Sequence, residues 1–435
     1  PPTYDWINHY YDQFNRIRDV VNISESGDDR QDVYTSYYYG YNTVEIVKDN
    51  IETTKKYNAL GNVIEVMDPA GITSYSYRPD GQLKSIKTIG DIETKFTYDD
   101  YGRQTSIIDP SAGVESYTYD ASGNTSSVKN ANNHTTNMEY DNLNRIIKKT
   151  SPEIMTTYSY TQTGEIENII SNNGTSKHYT YRPDGKLNRI TETIDNNSFI
   201  EDYSYNNTGD LSSTTYSTKT GNTTDQIAIE NHDYSNGYLT NTTLNNSITI
   251  FKLDGEDKWG NISNITTGIL KRQYAFDRFG YPTLRSLYKN NINLSNFHYE
   301  FNQHTGNLSR RYEDRSRTDE NFSYDNLNRL TNHRSNGRSP QRIMEYFSNG
   351  NIKSNSIVGN FEYNITDKPY QISGLTMNNH SQDYKNILET IIYNSQNRPT
   401  NIVANNYSAT FTYNEEGDRK KMQLVDSSLP SGSNY

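Results

Sequence analysis

The chain has 435 residues, a net charge of −11, 31% hydrophobic residues, 39 tyrosines and no cysteine. Without cysteine there is no disulfide, thiolate zinc site or thiol nucleophile. The acidic balance sets the chain against a nucleic-acid partner, and no apolar run approaches the roughly 18 residues of a membrane span. Low hydrophobicity with abundant Asn, Ser and Thr would point to disorder. Aromatic residues at 12% oppose that, since tyrosine buries a ring, keeps a polar tip and suits half-wet β-surfaces. The composition reads as a folded, tyrosine-cored β protein. The opening "PPTYDWINHYYDQ" has neither an initiator Met nor a signal peptide, which reads as a piece of a longer or processed polypeptide.

Taken in chain order, one twelve-residue pattern recurs. It appears as "HYYDQFNRIRDV" from His9, "KKYNALGNVIEV" from Lys55, "YSYRPDGQLKSI" from Tyr75 and "FTYDDYGRQTSI" from Phe96. It continues as "YTYDASGNTSSV" from Tyr117, "MEYDNLNRIIKK" from Met138, "YSYTQTGEIENI" from Tyr158, "YTYRPDGKLNRI" from Tyr179 and "YSYNNTGDLSST" from Tyr203. The stretch 211–251 is degenerate and holds either an insertion or worn copies. The pattern resumes from Tyr274, Tyr299, Phe322, Met344, Ile391 and Phe411, with looser spacing. Such self-similarity marks a repeat architecture, here a single region over 1–435 with repeats from about 9 to 422.

Two positions carry the pattern. The third is aromatic at Tyr57, Tyr77, Tyr98, Tyr119, Tyr140, Tyr160, Tyr181, Tyr205, Tyr324, Tyr346 and Tyr413. From Tyr77 to Tyr181 these are 20 or 21 residues apart. The seventh is Gly at Gly61, Gly81, Gly102, Gly123, Gly164, Gly185, Gly209, Gly280, Gly350 and Gly417, and Asn at Asn144 and Asn328. Asn15 and Asn397 fit the same place, and Gly306 arrives one residue late, as a one-residue turn insertion would give. Gly and then Asn tolerate positive φ best, so the backbone is expected to be left-handed there. Type I turn chemistry just before it completes a short hairpin with a Gly-type bulge. Aromatic–x–aromatic sets two rings on one strand face. Leu83 and Ile86 on the returning strand differ by three, so either a second bulge intervenes or both sheet faces bury apolar groups. "MDPAGITSY" (67–75) and "IDPSAGVESY" (108–117) then read as the turns linking hairpins.

The pattern Y-x-Y-D-x-x-G-[NR]-[LI]-x-x-[IV], with an upstream D-P-x-G, resembles the YD or RHS repeat, and residues 68–86 look like one full copy. The likeness runs from about His9 to Met422. The family includes bacterial RHS polymorphic toxins, the C components of insecticidal Tc toxin complexes and, more distantly, the animal teneurins. The resemblance implies an all-β fold: a continuous antiparallel hairpin ribbon spiralling into a hollow shell. In the bacterial members that shell encloses the C-terminal toxic segment of the same polypeptide. A ribbon of fifteen to eighteen hairpins would be on the order of 150–170 Å wide, and twist curls sheets of that width. The segment with which bacterial members close the core and cleave themselves does not precede the final "VDSSLPSGSNY" (425–435). Asp68-Pro69 and Asp109-Pro110 are interior turns and are not carried over as cleavage residues. The chain reads as shell wall without its cap or cargo.

Catalytic and metal chemistry find little support. The eight histidines (9, 134, 178, 232, 298, 304, 333 and 380) show no HxH or HExxH spacing. The pairs Asp28-Asp29 and Asp99-Asp100 read as loop and turn acids, and phosphate-cradling glycine loops are missing. The ring rows read as repeat core before sugar-stacking platforms, and triplets such as Asn261-Ile262-Ser263 arise by chance in a chain so rich in Asn. The expectation is therefore a non-enzyme without catalytic residues, cofactor or metal. Its partners would be the remaining shell and a C-terminal cargo, in the same polypeptide or another protein, with a secretion or delivery apparatus. Its place would be outside the producing bacterium, secreted or at the cell surface. The rival readings are a surface adhesion or recognition module, using loops near 215–250, and a β-propeller with 42-residue blades.

Overall fold

The computed structural model describes residues 7–23, 32–48, 51–336, 340–378, 389–414 and 416–427. The Asp28-Asp29 pair, His380 and the tail 428–435 lie outside them. Among the described residues every regular element is a strand. Thirty-four strands, from Ile7–Tyr11 to Gly374–Met377, belong to one antiparallel sheet. The strands Glu389–Tyr393, Pro399–Ala404, Tyr407–Tyr413 and Arg419–Asp426 form a second. A propeller would break the strands into separate four-stranded blades; here consecutive strands pair without a break from Ile7–Tyr11 to Gln104–Asp109 in the first unit and from Gly113–Tyr119 to Ile248–Glu256 in the second. Two compact units contain these strands. One comprises Pro1–Gly113, Asp254–Ile265 and Ile269–Asp383, the other Val114–Leu253, Thr266–Gly268 and Tyr384–Tyr435.

In the first unit, the hairpin of Gly71–Tyr77 and Leu83–Thr88 shows how the repeat folds. The Arg78 amide donates to the Gln82 carbonyl at 2.8 Å, and the Gly81 amide to the Arg78 carbonyl at 3.0 Å. Gly81 is left-handed, at φ +86°, as a type I turn followed by a left-handed residue requires. Beyond the turn Tyr77 faces Leu83, but Ser76 faces Ser85, so Lys84 is an extra residue. This second bulge settles the spacing of three: Tyr75 faces Ile86, and Leu83 and Ile86 join the two rings on one face. The same register shift recurs at Tyr57, Tyr98, Tyr119, Tyr140, Tyr160, Tyr181, Tyr205, Tyr324, Tyr346 and Tyr413.

The twelve corner residues Gly61, Gly81, Gly102, Gly123, Asn144, Gly164, Gly185, Gly209, Gly280, Asn328, Gly350 and Gly417 have φ between +58° and +103°. Around Gly306 the turn is longer: its amide reaches back four residues to the Asn302 carbonyl at 2.8 Å, at φ +76°. The stretch 211–251 carries the longest described strand, Thr223–Ser235, preceded by Leu211–Thr220 and followed by Tyr238–Leu244 and Ile248–Glu256.

The expected tyrosine core is not a core. The buried hydrophobic residues among those described are Val21 and Val33 in the first unit and Ile169 and Ile200 in the second. The third-position tyrosines are half-buried, from Tyr57 to Tyr413. The ribbon is one sheet thick, so its rings lie along the sheet face where a sandwich would bury them between layers. The opposite face carries hydroxyls that bridge strands, as in Ser76–Ser85 and Thr118–Ser126, both at 2.8 Å.

Gly123 isolates the backbone requirement, because an added β-carbon would meet nothing within 4 Å, whereas at Gly102 it would meet the Gln82 amide nitrogen at 2.8 Å. Gly123→Val should cost about 1–2 kcal/mol in chemical denaturation. Gly123→Asn, the residue used at Asn144, should cost much less; equal losses would mean that φ at this corner is not constrained.

Candidate functional site

The feature repeated along this chain is a corner, and Asp141–Arg145 in the second unit shows all its parts. The Asp141 carboxylate accepts the backbone amides of Leu143 at 2.9 Å and Arg145 at 3.0 Å. Its other oxygen takes the Arg145 guanidinium at 2.8 Å from Nε and 2.7 Å from Nη2. Asp at the fourth position thus folds the turn and fixes the arginine four residues on. That guanidinium lies over the ring of Tyr160, in the next corner, 4.3 Å from its centroid. In the first unit Asp325, Arg329 and Tyr346 repeat the arrangement, with a 2.8 Å Nε–carboxylate contact and a 4.6 Å ring distance.

The tyrosine hydroxyl completes the link. The ladder between Ile146–Thr150 and Met155–Tyr160 stops at Lys148 opposite Thr157, so the Ile146 carbonyl lies beyond it. Tyr160 donates its hydroxyl to that carbonyl at 2.7 Å. The same bond joins Tyr77 to Val63 (2.6 Å), Tyr98 to Leu83 (2.8 Å), Tyr140 to Thr125 (2.9 Å) and Tyr181 to Ile166 (2.7 Å). It recurs from Tyr205 to Leu187, Tyr324 to Leu308, Tyr346 to Leu330 and Tyr413 to Pro399. Burial raises the pKa of Tyr140, Tyr160, Tyr181, Tyr324 and Tyr346, so each keeps the proton it donates. At two corners whose eighth position is not arginine, the side chain also reaches the next corner: Gln82 and Lys186 donate to the carbonyls of Gly102 and Gly209, each at 2.6 Å.

Within the second unit, late corners meet much earlier linking turns. The Asn130 amide donates to the Ser395 carbonyl at 2.7 Å and the Asn173 amide to the Tyr413 carbonyl at 2.8 Å. Glu153 accepts the Ser395 amide, and Lys177 pairs with Glu416 at 3.0 Å. Lys420 and Lys421 reach Glu192 and Asp195 at 2.9 and 2.7 Å. These partners lie 226 to 265 residues apart in sequence. Asn414, beside these contacts, is fully buried.

Comparison with known proteins bears on this geometry directly. The Teneurin YD-shell family matches residues 40–134 and the RHS Repeat family residues 119–153. A chain in the crystal structure of TcdB2-TccC3-Cdc42 shares the fold at a TM-score of 0.76 and 14% identity, over 97% of this chain and 26% of that one. A chain of the Photorhabdus luminescens Tc holotoxin pore gives 0.74 at 14% identity, over 96% and 25%. Residues 40–153 thus carry YD-shell and RHS repeats, and the chain shares the fold of those solved chains. It spans about a quarter of the length of those solved chains. No curated protein sequence matches it.

Two corners of the ribbon escape the ring pattern. Asp257–Asn261 folds identically, with Gly260 at φ +84° and the Asp257 amide 2.8 Å from the Asn261 carbonyl. Its first and third positions are Asp254 and Glu256, so only D-x-x-G-N marks it. Asn130–His134 uses corner bonding in a linking turn, with Asn133 at φ +63°. Among the described residues no group of three His, Asp or Glu side chains is placed to hold a metal ion. No helix there is long and apolar enough to cross a membrane.

The Asp141 carboxylate is held below its ordinary pKa by the Arg145 amide and guanidinium, and that of Asp120 by the Asn124 side chain and backbone. The unfolded chain therefore takes up protons first as pH falls through about 4. The corners' contribution is complete above that pH and lost below it, so the melting temperature should drop steeply from pH 4 to pH 3. Asp141→Asn should flatten that fall. Removing one tie should also be measurable: Tyr181→Phe leaves the Ile166 carbonyl unpaired and should cost about 1 kcal/mol. Tyr101→Phe, at a corner tip 86% exposed, should change stability by less than about 0.5 kcal/mol.

Proposed function

We propose that this chain is a stretch of shell wall, non-enzymatic, that encloses a C-terminal toxin or effector for delivery outside the producing cell. The observation that carries the reading is a long YD ribbon with almost no buried core. A sheet one layer thick leaves both faces free, which a container needs and a compact enzyme or adhesion domain does not. The fold likeness to TcdB2-TccC3 assemblies, one of them with Cdc42, supports it. The remaining shell, in the same polypeptide or a partner protein, would complete the enclosure.

Limited proteolysis of the full gene product tests the proposal. A segment C-terminal to the ribbon should resist protease while the ribbon is folded, and become cleavable once acid or denaturant opens it. Equal cleavage under both conditions, or a membrane anchor or adhesion modules in that position, would overturn the reading.

A further inference from the structure

Eight of the 21 arginines fall between 308 and 342, beside five carboxylates and no lysine, in a chain whose net charge is −11. All five carboxylates are engaged. Glu313 accepts the Ser316 amide, Asp314 meets His298 at 3.1 Å, and Asp319 holds Arg310 at 2.8 Å. Glu320 binds both Arg311 and His333, and Asp325 binds Arg329. Arg317 and Arg342 have no carboxylate partner among the described residues, and both line one cleft of 860 Å³ in the first unit. That volume is within the range of small-ligand sites, roughly 300–1,000 Å³.

The strand register puts the cleft floor on a single face. Phe322 stands opposite His333, and His333 opposite Arg342. The Phe322 and His333 rings are stacked, with centroids 5.0 Å apart and planes 15° from parallel. Flat apolar surface thus adjoins unpaired guanidinium groups, the residue type suited to forked contacts with carboxylate or phosphate.

The backbone adds an independent sign. Fourteen non-glycine residues have positive φ among those described, and thirteen are Asn or Asp; the exception is Arg317, at φ +54°. Arginine has no local side-chain bond to compensate that conformation, as Asn and Asp do. Strain of this kind is retained where the side chain is needed.

We propose that this cleft binds an oxyanion carried on a flat ring, the phosphate or carboxylate taken by Arg317 and Arg342 and the ring lying on the Phe322–His333 stack. The test is calorimetric titration of the full chain with ADP and with benzoate, which separate phosphate from carboxylate, against uncharged adenosine and benzamide. At least one anionic probe should bind with a Kd below about 1 mM and its uncharged counterpart should not. Arg342→Gln should weaken that binding about tenfold, the equivalent of one charge-assisted bond. Arg317→Asn should weaken it similarly while holding or raising the melting temperature, since Asn suits the left-handed backbone. No binding of either anion, equal binding of the uncharged probes, or anion binding unchanged in both variants would overturn the proposal.

Discussion

A sheet that has no second layer must satisfy its backbone from its own side chains. In this chain the tyrosine hydroxyl bonded to a neighbouring carbonyl does so. The corner bulge splays adjacent hairpins, and the splay strands one carbonyl beyond the end of each ladder. An unpaired backbone acceptor is costly wherever water is partly excluded. The third-position tyrosine lays its ring over the gap and donates to that carbonyl, so bulge and tyrosine presuppose each other. Phenylalanine would fill the same space and leave the acceptor unpaired, which accounts for tyrosine at the nine third positions that make this bond.

The rest of the repeat serves the same tie. The Asp at position four folds the turn that creates the bulge, and the left-handed Gly or Asn lets the chain return. Arginine at position eight is gripped by that Asp and presses on the next ring. Each part reaches a few residues or one hairpin, so most contacts are local. Such a ribbon can be lengthened by whole copies without redesigning a core. The seam of the second unit is different in kind, being made by polar side chains whose partners are hundreds of residues away.

That division governs what the sequence made legible. The hairpin, its left-handed residue and the ring rows are local constraints, written within twelve residues, and the strand pairing follows the pattern almost corner by corner. Lys84 as an extra residue was one of two open choices, because the spacing of Leu83 and Ile86 fits a bulge or a two-sided sheet equally. The Gly260 corner was hidden by Asp254 and Glu256 standing where rings usually stand. The seam at Asn130, Glu153 and Asn173 left no local mark, since Asn and Glu in turns look alike whether or not another strand reaches them. Composition also misled in one respect: tyrosine abundance reads as a core, but in a single layer the rings can be covered from one side only.

The consequence of a coreless sheet is thermodynamic. Stability that rests on hydroxyl–carbonyl ties and flat rings buries less apolar surface per residue than a globular domain does, and the heat-capacity change on unfolding reports that surface. Scanning calorimetry of the chain measures it most directly. The account predicts a value well below the roughly 12–15 cal/mol/K per residue of globular proteins. A value within or above that range would show a conventional hydrophobic core and contradict it.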